Sequence, residues 1–218
     1  MKSALSVFAE KGPDNAVIDD FIAAAGVSRG TFYNHFRTTQ ELLLALATAM
    51  SDEVLRVVDP LVLGHDDPVQ RFALGTRLYM GIALRYPLWG SFITRVGTRI
   101  AARGQLIDVY LTRDLEAAHR AGRLRLPNVR VARDIVLGAI FYGIETMLIE
   151  PTRGSHPQHL VLCVLVGFGL PPDEAAQTAA MPLPLAQVVE GPIFSSLKPA
   201  AGNPNRRQRS RKIADTAP

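Results

Sequence analysis

Residues 24–36 read Ala-Ala-Gly-Val-Ser-Arg-Gly-Thr-Phe-Tyr-Asn-His-Phe and predict two helices joined by a turn. Gly26 predicts a tight turn between two short helices, and Ser28 is placed to cap the second of them. Phe32 and Phe36 lie four residues apart and should face a core, which leaves the polar side chains between them pointing outward. Two short helices joined in this way form the arrangement that places a helix in the DNA major groove.

The flanking sequence predicts further helices and no run of alternating strands, so we expect an all-α protein. Thr38 and Glu41 are spaced as a capping box in which each satisfies the other's free amide, and Pro60 should end the helix that this box opens. We predict helices at about 1–11, 17–25, 29–35, 38–59, 68–86, 88–102, 105–121, 128–150, 155–169 and 172–180. They divide into a three-helix DNA-binding domain at 1–48, a larger helical ligand-binding and dimerisation domain at 49–190, and a disordered basic tail at 191–218.

Composition is that of a globular protein, with 48% apolar and 20% charged residues in a chain of 218. The net charge of +4 is uninformative about DNA, because the six basic residues and one acidic residue from position 198 onward carry +5 and leave −1 for residues 1–197.

Cys163 lies in an apolar run and should pack in the core of a protein from a reducing compartment. Because no apolar stretch reaches the length of a membrane span, we expect a cytoplasmic protein without a membrane partner.

Three stretches together resemble the TetR family of bacterial repressors over roughly residues 1–50: Leu5-x-x-Phe8-Ala9-Glu10-Lys11-Gly12, residues 24–36, and Glu41-Leu42-Leu43. The resemblance implies that the helix after Gly26 is the recognition helix. Family members use matching positions for bases and nearby phosphates, which here are Ser28, Arg29, Gly30, Thr31 and Asn34. Positions matching Tyr33 and His35 bind backbone phosphates, and Thr38 and Thr39 begin a helix whose N-terminus attracts anions.

The same resemblance implies a homodimer that pairs through its last two long helices, here about 129–150 and 157–168, and encloses a pocket for a small-molecule effector. Such a dimer would present two recognition helices about 34–36 Å apart and bind a palindromic operator on double-stranded DNA. The role that the resemblance implies is repression that the effector releases. Aromatic and flexible side chains suit an apolar pocket, and the candidates are Tyr79, Met80, Trp89, Phe92, Tyr110, Phe141, Tyr142 and Met147.

The sequence also leaves functions other than ligand-controlled repression to consider. The main alternative is a dimeric ligand-binding or interaction module with weakened or lost DNA binding, because the first helix is short. His156 and His159 could join Cys163 or Glu150 in a metal site, but helix-start prolines and solvated histidines explain the same residues, so we expect no metal or cofactor. The chain shows no Gly-x-Ser-x-Gly, no phosphate-cradling glycine loop and no His-Glu-x-x-His, which argues against an enzyme. The arginine-rich tail could add phosphate contacts or simply be solvated.

Overall fold

The computed structural model describes residues 1–150, 154–184, 189–197 and 199. Over these residues the regular structure is entirely helical, which confirms the all-α prediction. The α-helices are α1 (Lys2–Lys11), α2 (Ile18–Ala25), α3 (Arg29–His35), α4 (Thr39–Leu63), α5 (Pro68–Arg85), α6 (Pro87–Val96), α7 (Leu106–Arg120), α8 (Val129–Ile149), α9 (His156–Gly167) and α10 (Pro172–Ala180). Two 3₁₀ turns add Gly97–Ala101 and Phe194–Ser196. None of the helices described is both long enough and apolar enough to span a membrane.

Several helices begin at a side chain that accepts a hydrogen bond from an amide of the first turn, as good caps do. The caps are Ser28 for α3, Thr38 for α4, Asp67 for α5 and Asn128 for α8. Proline at the first turn of α5, α6, α9 and α10 supports the same starts, because its missing amide is unpaired there in any case. Local chemistry therefore fixes most helix starts.

Helices α1–α3 pack around a short row of aromatic rings. The Phe8 ring lies 4.8 Å from Phe21, and Phe21 lies 6.4 Å from Phe32, centroid to centroid. All three side chains are buried, whereas Phe36 is half-buried. This row holds the short α3 against the rest of the unit.

The larger unit surrounds α5, which packs against α4, α7, α8 and α9. The two units share a boundary, because Phe8 of α1 contacts Phe92 of α6 with ring centroids 5.6 Å apart. Helix α4 begins beside α3 and runs without a break through the predicted domain boundary at residue 48. A movement of α4 or α6 would therefore reach the N-terminal helices directly.

Two predicted helix ends were wrong. Helix α4 continues through Pro60 to Leu63, because the next residues still bury apolar side chains such as Val62, and that burial offsets the lost amide bond. The predicted helix at 88–102 stops being α-helical at Val96, where Gly97 adopts a φ of +56° and the chain tightens into a 3₁₀ turn.

Two further predictions are corrected by burial. Cys163 is exposed rather than in the core, because it lies on the outer side of α9. The predicted tail at 191–218 begins too early, since Ile193 and Phe194 are buried against the larger unit. Residues 198 and 200–218 lie outside the described residues.

Candidate functional site

The turn between α2 and α3 positions the candidate recognition helix. Gly26 closes α2 with a φ of +64°, in the left-handed region that favours glycine. Ser28 then opens α3, its Oγ accepting a hydrogen bond from the Thr31 amide at 3.0 Å. With Phe32 buried underneath, α3 has one fixed orientation and turns its other sides outward.

The residues predicted to bind DNA lie together on this outward surface. Those that are exposed are Ser28, Arg29, Gly30, Thr31, Tyr33, Asn34, His35 and Thr38, and Thr39 is half-buried. They extend along the chain from the N-cap of α3 to the first residue of α4.

Some of these side chains already have partners. Arg29 forms an ion pair with Asp19 of α2, and both side chains are largely exposed. The Ser28 hydroxyl also lies 2.9 Å from the Thr31 hydroxyl. Exposed ion pairs contribute little stability, so Arg29 can exchange Asp19 for another acceptor at small cost.

The capping box at α4 is present in a modified form. Thr38 Oγ1 accepts from the Glu41 amide at 3.1 Å, as expected. The Glu41 carboxylate, however, accepts from the Arg37 amide at 2.7 Å. Arg37 is exposed beside this helix start and is a phosphate-binding candidate that the sequence analysis missed. Its position directly after the recognition helix was the available signal.

A second ion pair braces the turn between α1 and α2. Lys11 Nζ lies 2.6 Å from Asp20 Oδ1, and Asp20 also accepts from the Val17 amide at 3.0 Å. The bond to Lys11 lowers the pKa of Asp20, and the same bond raises the pKa of Lys11. Four basic residues stand against five acidic residues in positions 1–50, so this unit carries little net attraction for a polyanion.

A cavity of about 60 Å³ lies inside the larger unit, between α4, α5, α7 and α8. Its lining residues are Leu55, Val58, Asp59, Val62, Arg71, Phe72, Gly75, Thr76, Tyr79, Ile107, Tyr110, Leu111, Arg113, Asp114 and Ile140. Most of this lining is apolar, with charged groups gathered at one corner.

That charged corner joins three helices. Arg113 of α7 lies 2.8 Å from Asp59 of α4 and 3.0 Å from the buried Asp114, measured between guanidinium nitrogen and carboxylate oxygen. Arg71 of α5 reaches Asp114 at 2.9 Å. The carboxylates raise the pKa of Arg113 although desolvation opposes them. Sequence reasoning missed this cluster because its members come from separate helices.

The predicted ligand residues divide into three groups. Tyr79 and Tyr110 line the cavity. The Tyr79 hydroxyl lies 2.8 Å from Ser51 Oγ, and burial raises its pKa. Others are buried in the core without lining this cavity, namely Met80, Trp89, Phe92, Phe141 and Met147. Tyr142 is 76% exposed, because it lies on the outer side of α8.

Tyr142 belongs to an exposed apolar face on the two helices predicted to pair. On α8 the exposed apolar residues are Val131, Ile135, Tyr142 and Ile149, and on α9 they include Cys163 and Val166. Their spacing along α8 of four, seven and seven residues keeps them on one side of the helix. Among the described residues, no group of three or more His, Cys, Asp or Glu side chains is suited to hold a metal ion.

A capped recognition helix after a glycine turn, set beneath a larger helical unit with its own cavity, defines a helix-turn-helix regulator. Two family models match the chain: the model of bacterial regulatory proteins of the tetR family at residues 1–46, and that of the Tetracyclin repressor-like C-terminal domain at residues 67–181. The chain therefore belongs to the TetR family of transcriptional regulators, as its sequence predicted. Proteins of this family are transcription regulators rather than enzymes.

Curated relatives match about a third of the chain. The transcriptional regulator AcuR of Cereibacter sphaeroides is 33% identical over 79 residues, which cover 36% of each chain. The uncharacterised HTH-type transcriptional regulator YvdT of Bacillus subtilis is 33% identical over 67 residues, which cover 31% of this chain and 34% of YvdT. The chain thus spans about a third of the length of the curated relatives it matches.

A solved structure of RolR in complex with the ligand resorcinol extends the likeness to most of the molecule. It superimposes with a TM-score of 0.74 at 27% identity, covering 84% of this chain and 91% of RolR. FadR from Bacillus subtilis, solved with stearoyl-CoA, gives a TM-score of 0.61 at 15% identity and shows a shared fold.

Proposed function

We propose that this chain is a homodimeric transcriptional repressor that binds a palindromic operator and is released by a small hydroxylated aromatic effector. The observation that carries the proposal is the polar surface of α3, exposed in full and held in place by Ser28 and the buried Phe32. Binding an operator would place the protein with the chromosome in the cytoplasm.

On the operator, α3 lies in the major groove and the N-terminus of α4 faces the backbone. Arg29 leaves Asp19 and donates hydrogen bonds to O6 and N7 of a guanine, while the Thr31 methyl contacts a thymine. Asn34 reads a base edge, and Ser28 and Gly30 approach bases or nearby phosphates. Phosphates are bound by Tyr33, His35, Thr38, Thr39 and Arg37.

Dimerisation is proposed to bury the apolar face of α8 and α9. Ile149 and Tyr142 are 74% and 76% exposed in one chain, which is unusual for large apolar side chains lying on one helix face. A two-fold axis through this face would pack the same apolar face of the two copies together, and we expect it to separate the two α3 helices by about one turn of DNA.

The effector is proposed to occupy the cavity between α4, α5, α7 and α8. A cavity of about 60 Å³ holds roughly four to six water molecules, which suits one ring rather than a long chain. Apolar walls suit the ring, and the carboxylates of Asp59 and Asp114 can accept from its hydroxyl groups. The ligand in the similar RolR structure, resorcinol, has this chemistry.

Release then follows from competition inside the cavity. A hydroxyl that donates to Asp59 competes with Arg113 and loosens the tie between α4 and α7. Because α4 also carries the N-terminal helices, its shift changes the separation of the recognition helices. Reciprocity requires operator DNA to weaken effector binding by the same factor.

The test starts with duplexes selected from random DNA and titrates resorcinol into the protein–operator complex. We expect resorcinol to raise the operator Kd, and its own Kd to rise when operator is present. An operator Kd unchanged at saturating resorcinol, with binding in the cavity shown by loss of affinity in Asp59→Asn, would refute the switch.

Two observations favour the alternative of a dimeric ligand-binding module with weakened DNA binding. Residues 1–50 have more acidic than basic side chains, and Arg29 is already paired with Asp19. The two functions differ in one result: the module would dimerise and bind resorcinol while enriching no duplex.

A further inference from the structure

Residues 189–197 pack over the larger unit as a strap, well beyond residue 181, where the match to the C-terminal family model ends. Val189, Ile193 and Phe194 are buried, and a 3₁₀ turn covers Phe194–Ser196. We call residues 189–197 the C-terminal strap. Its burial shows that it is a built part of the fold rather than a continuation of the basic tail.

A buried carboxylate holds this strap. Glu53 of α4 is 8% exposed, and its two oxygens accept from the Ile193 amide at 3.0 and 3.2 Å and from the Phe194 amide at 3.0 Å. A buried charge is costly unless hydrogen bonds compensate it, and bonds to a charged acceptor are stronger than neutral ones. Glu53 therefore links α4 to the strap through the backbone.

Gly191 makes the close approach possible. A Cβ at this position would lie 2.2 Å from Glu53 Oε2 and 2.4 Å from Glu53 Cδ. Any larger residue would therefore push the carboxylate off the two amides that it binds.

The side chain of Phe194 connects the strap to α6. Its ring lies edge-on to Tyr86 at 5.0 Å and to Trp89 at 5.5 Å, centroid to centroid. Glu53 and Phe194 together tie α4 to the first turn of α6.

Both tied helices contact the N-terminal unit. Helix α4 begins in it, and α6 reaches it through the contact of Phe92 with Phe8 and the ion pair of Arg95 with Asp14. On the inner side, Trp89 packs edge-on against Tyr79, which lines the cavity, with ring centroids 5.1 Å apart. The strap thus bridges two helices of the larger unit, α4 and α6, that both contact the N-terminal unit.

We propose that the C-terminal strap is a brace that fixes the angle between α4 and α6 and holds the N-terminal unit in its DNA-binding geometry, with Glu53 as the positioning residue. Its effect on operator affinity rests on the proposed function. The effect of the strap on the order of α1 is independent of the proposed function.

Two full-length variants release the strap by different routes. Glu53→Gln keeps the side-chain shape but places an amide donor against the amides it should accept from, and Gly191→Ala displaces the carboxylate sterically. Glu190→Gln is the matched control, because Glu190 lies in the same strap and is exposed. Trp89, the single tryptophan of the chain, reports strap release by its emission and by acrylamide quenching.

Release of the strap should lower the affinity for operator without lowering the affinity for resorcinol. In both variants Trp89 becomes quenchable and operator affinity falls about 5- to 150-fold, the usual range of coupling between sites, while resorcinol affinity stays equal or rises. Loss of both affinities would mean that Glu53 is only structural, and Trp89 exposure with operator affinity within two-fold of the control would mean that the strap is passive. Either result overturns the proposal.

Amide hydrogen exchange separates this proposal from the proposed function. If the unmodified chain selects no duplex, the proposed function fails, and the strap is judged by exchange in α1 alone. Faster exchange of α1 in Glu53→Gln and Gly191→Ala than in Glu190→Gln supports the brace, and equal exchange refutes it.

Discussion

Ile135 lies on the exposed apolar face of α8, and its replacement by aspartate should separate the proposed dimer. The side chain is 51% exposed in one chain, so dimerisation would remove its remaining half from water. Full burial of an isoleucine is worth about 1.5–3 kcal/mol, so this half contributes about 1 kcal/mol per copy. Burying an uncompensated polar group adds about 1–3 kcal/mol per copy.

Both costs are counted twice in a symmetric dimer, which gives a loss of about 4–8 kcal/mol. At about 1.4 kcal/mol per tenfold, the dimer Kd should rise by about three orders of magnitude or more. Sedimentation equilibrium over a range of protein concentrations measures this Kd. Val109→Asp on α7 is the control, because Val109 is similarly exposed but lies off the α8–α9 face. An Ile135→Asp dimer as tight as that of Val109→Asp would refute the assigned interface.

Three further results are expected. Asn34→Ala should weaken binding to a selected operator by about 1–3 kcal/mol without changing the melting temperature, because Asn34 is exposed, and gel-shift titration measures the change. Asp59→Asn should weaken resorcinol binding to the DNA-free protein about 10- to 100-fold, since a bond to a charged acceptor is worth about 1.5–3 kcal/mol; unchanged resorcinol affinity would exclude Asp59 from the effector site. Lys11→Met should lower the melting temperature by a constant amount between the ordinary pKa values of 3.8 for Asp20 and 10.5 for Lys11. This deficit should shrink as the pH falls through the lowered pKa of Asp20 or rises through the raised pKa of Lys11, and a deficit independent of pH would contradict the ion pair.

Much of the fold could be predicted because local chemistry sets it. Ser28, Thr38 and Asn128 mark helix starts through bonds within one turn, and those bonds are present. The prediction that α4 ends at Pro60 was wrong because the cost of a proline is local, whereas the burial that stabilises α4 beyond Pro60 depends on distant helices. The strap was missed for the same reason: Glu53 and Phe194 are far apart in sequence.

In the candidate site, too, the residues set by local sequence were predicted and those that depend on contacts between distant helices were not. The outward residues of α3 follow from helical spacing around Phe32, so a short stretch of sequence was enough to choose them. A cavity depends on how several helices meet, so Tyr79 and Tyr110 were found among aromatic candidates while Asp59 and Arg113 were not. Tyr142 shows the limit of composition, because an aromatic residue suits a pocket and an interface equally well.

Selection of binding sites from random duplex DNA measures whether this chain recognises a specific operator. We expect enrichment of a palindrome whose half-sites lie about one helical turn or a multiple of it apart, and weaker binding of that palindrome by the Asn34→Ala variant. Enrichment of no sequence by a chain that is still dimeric in solution would contradict it.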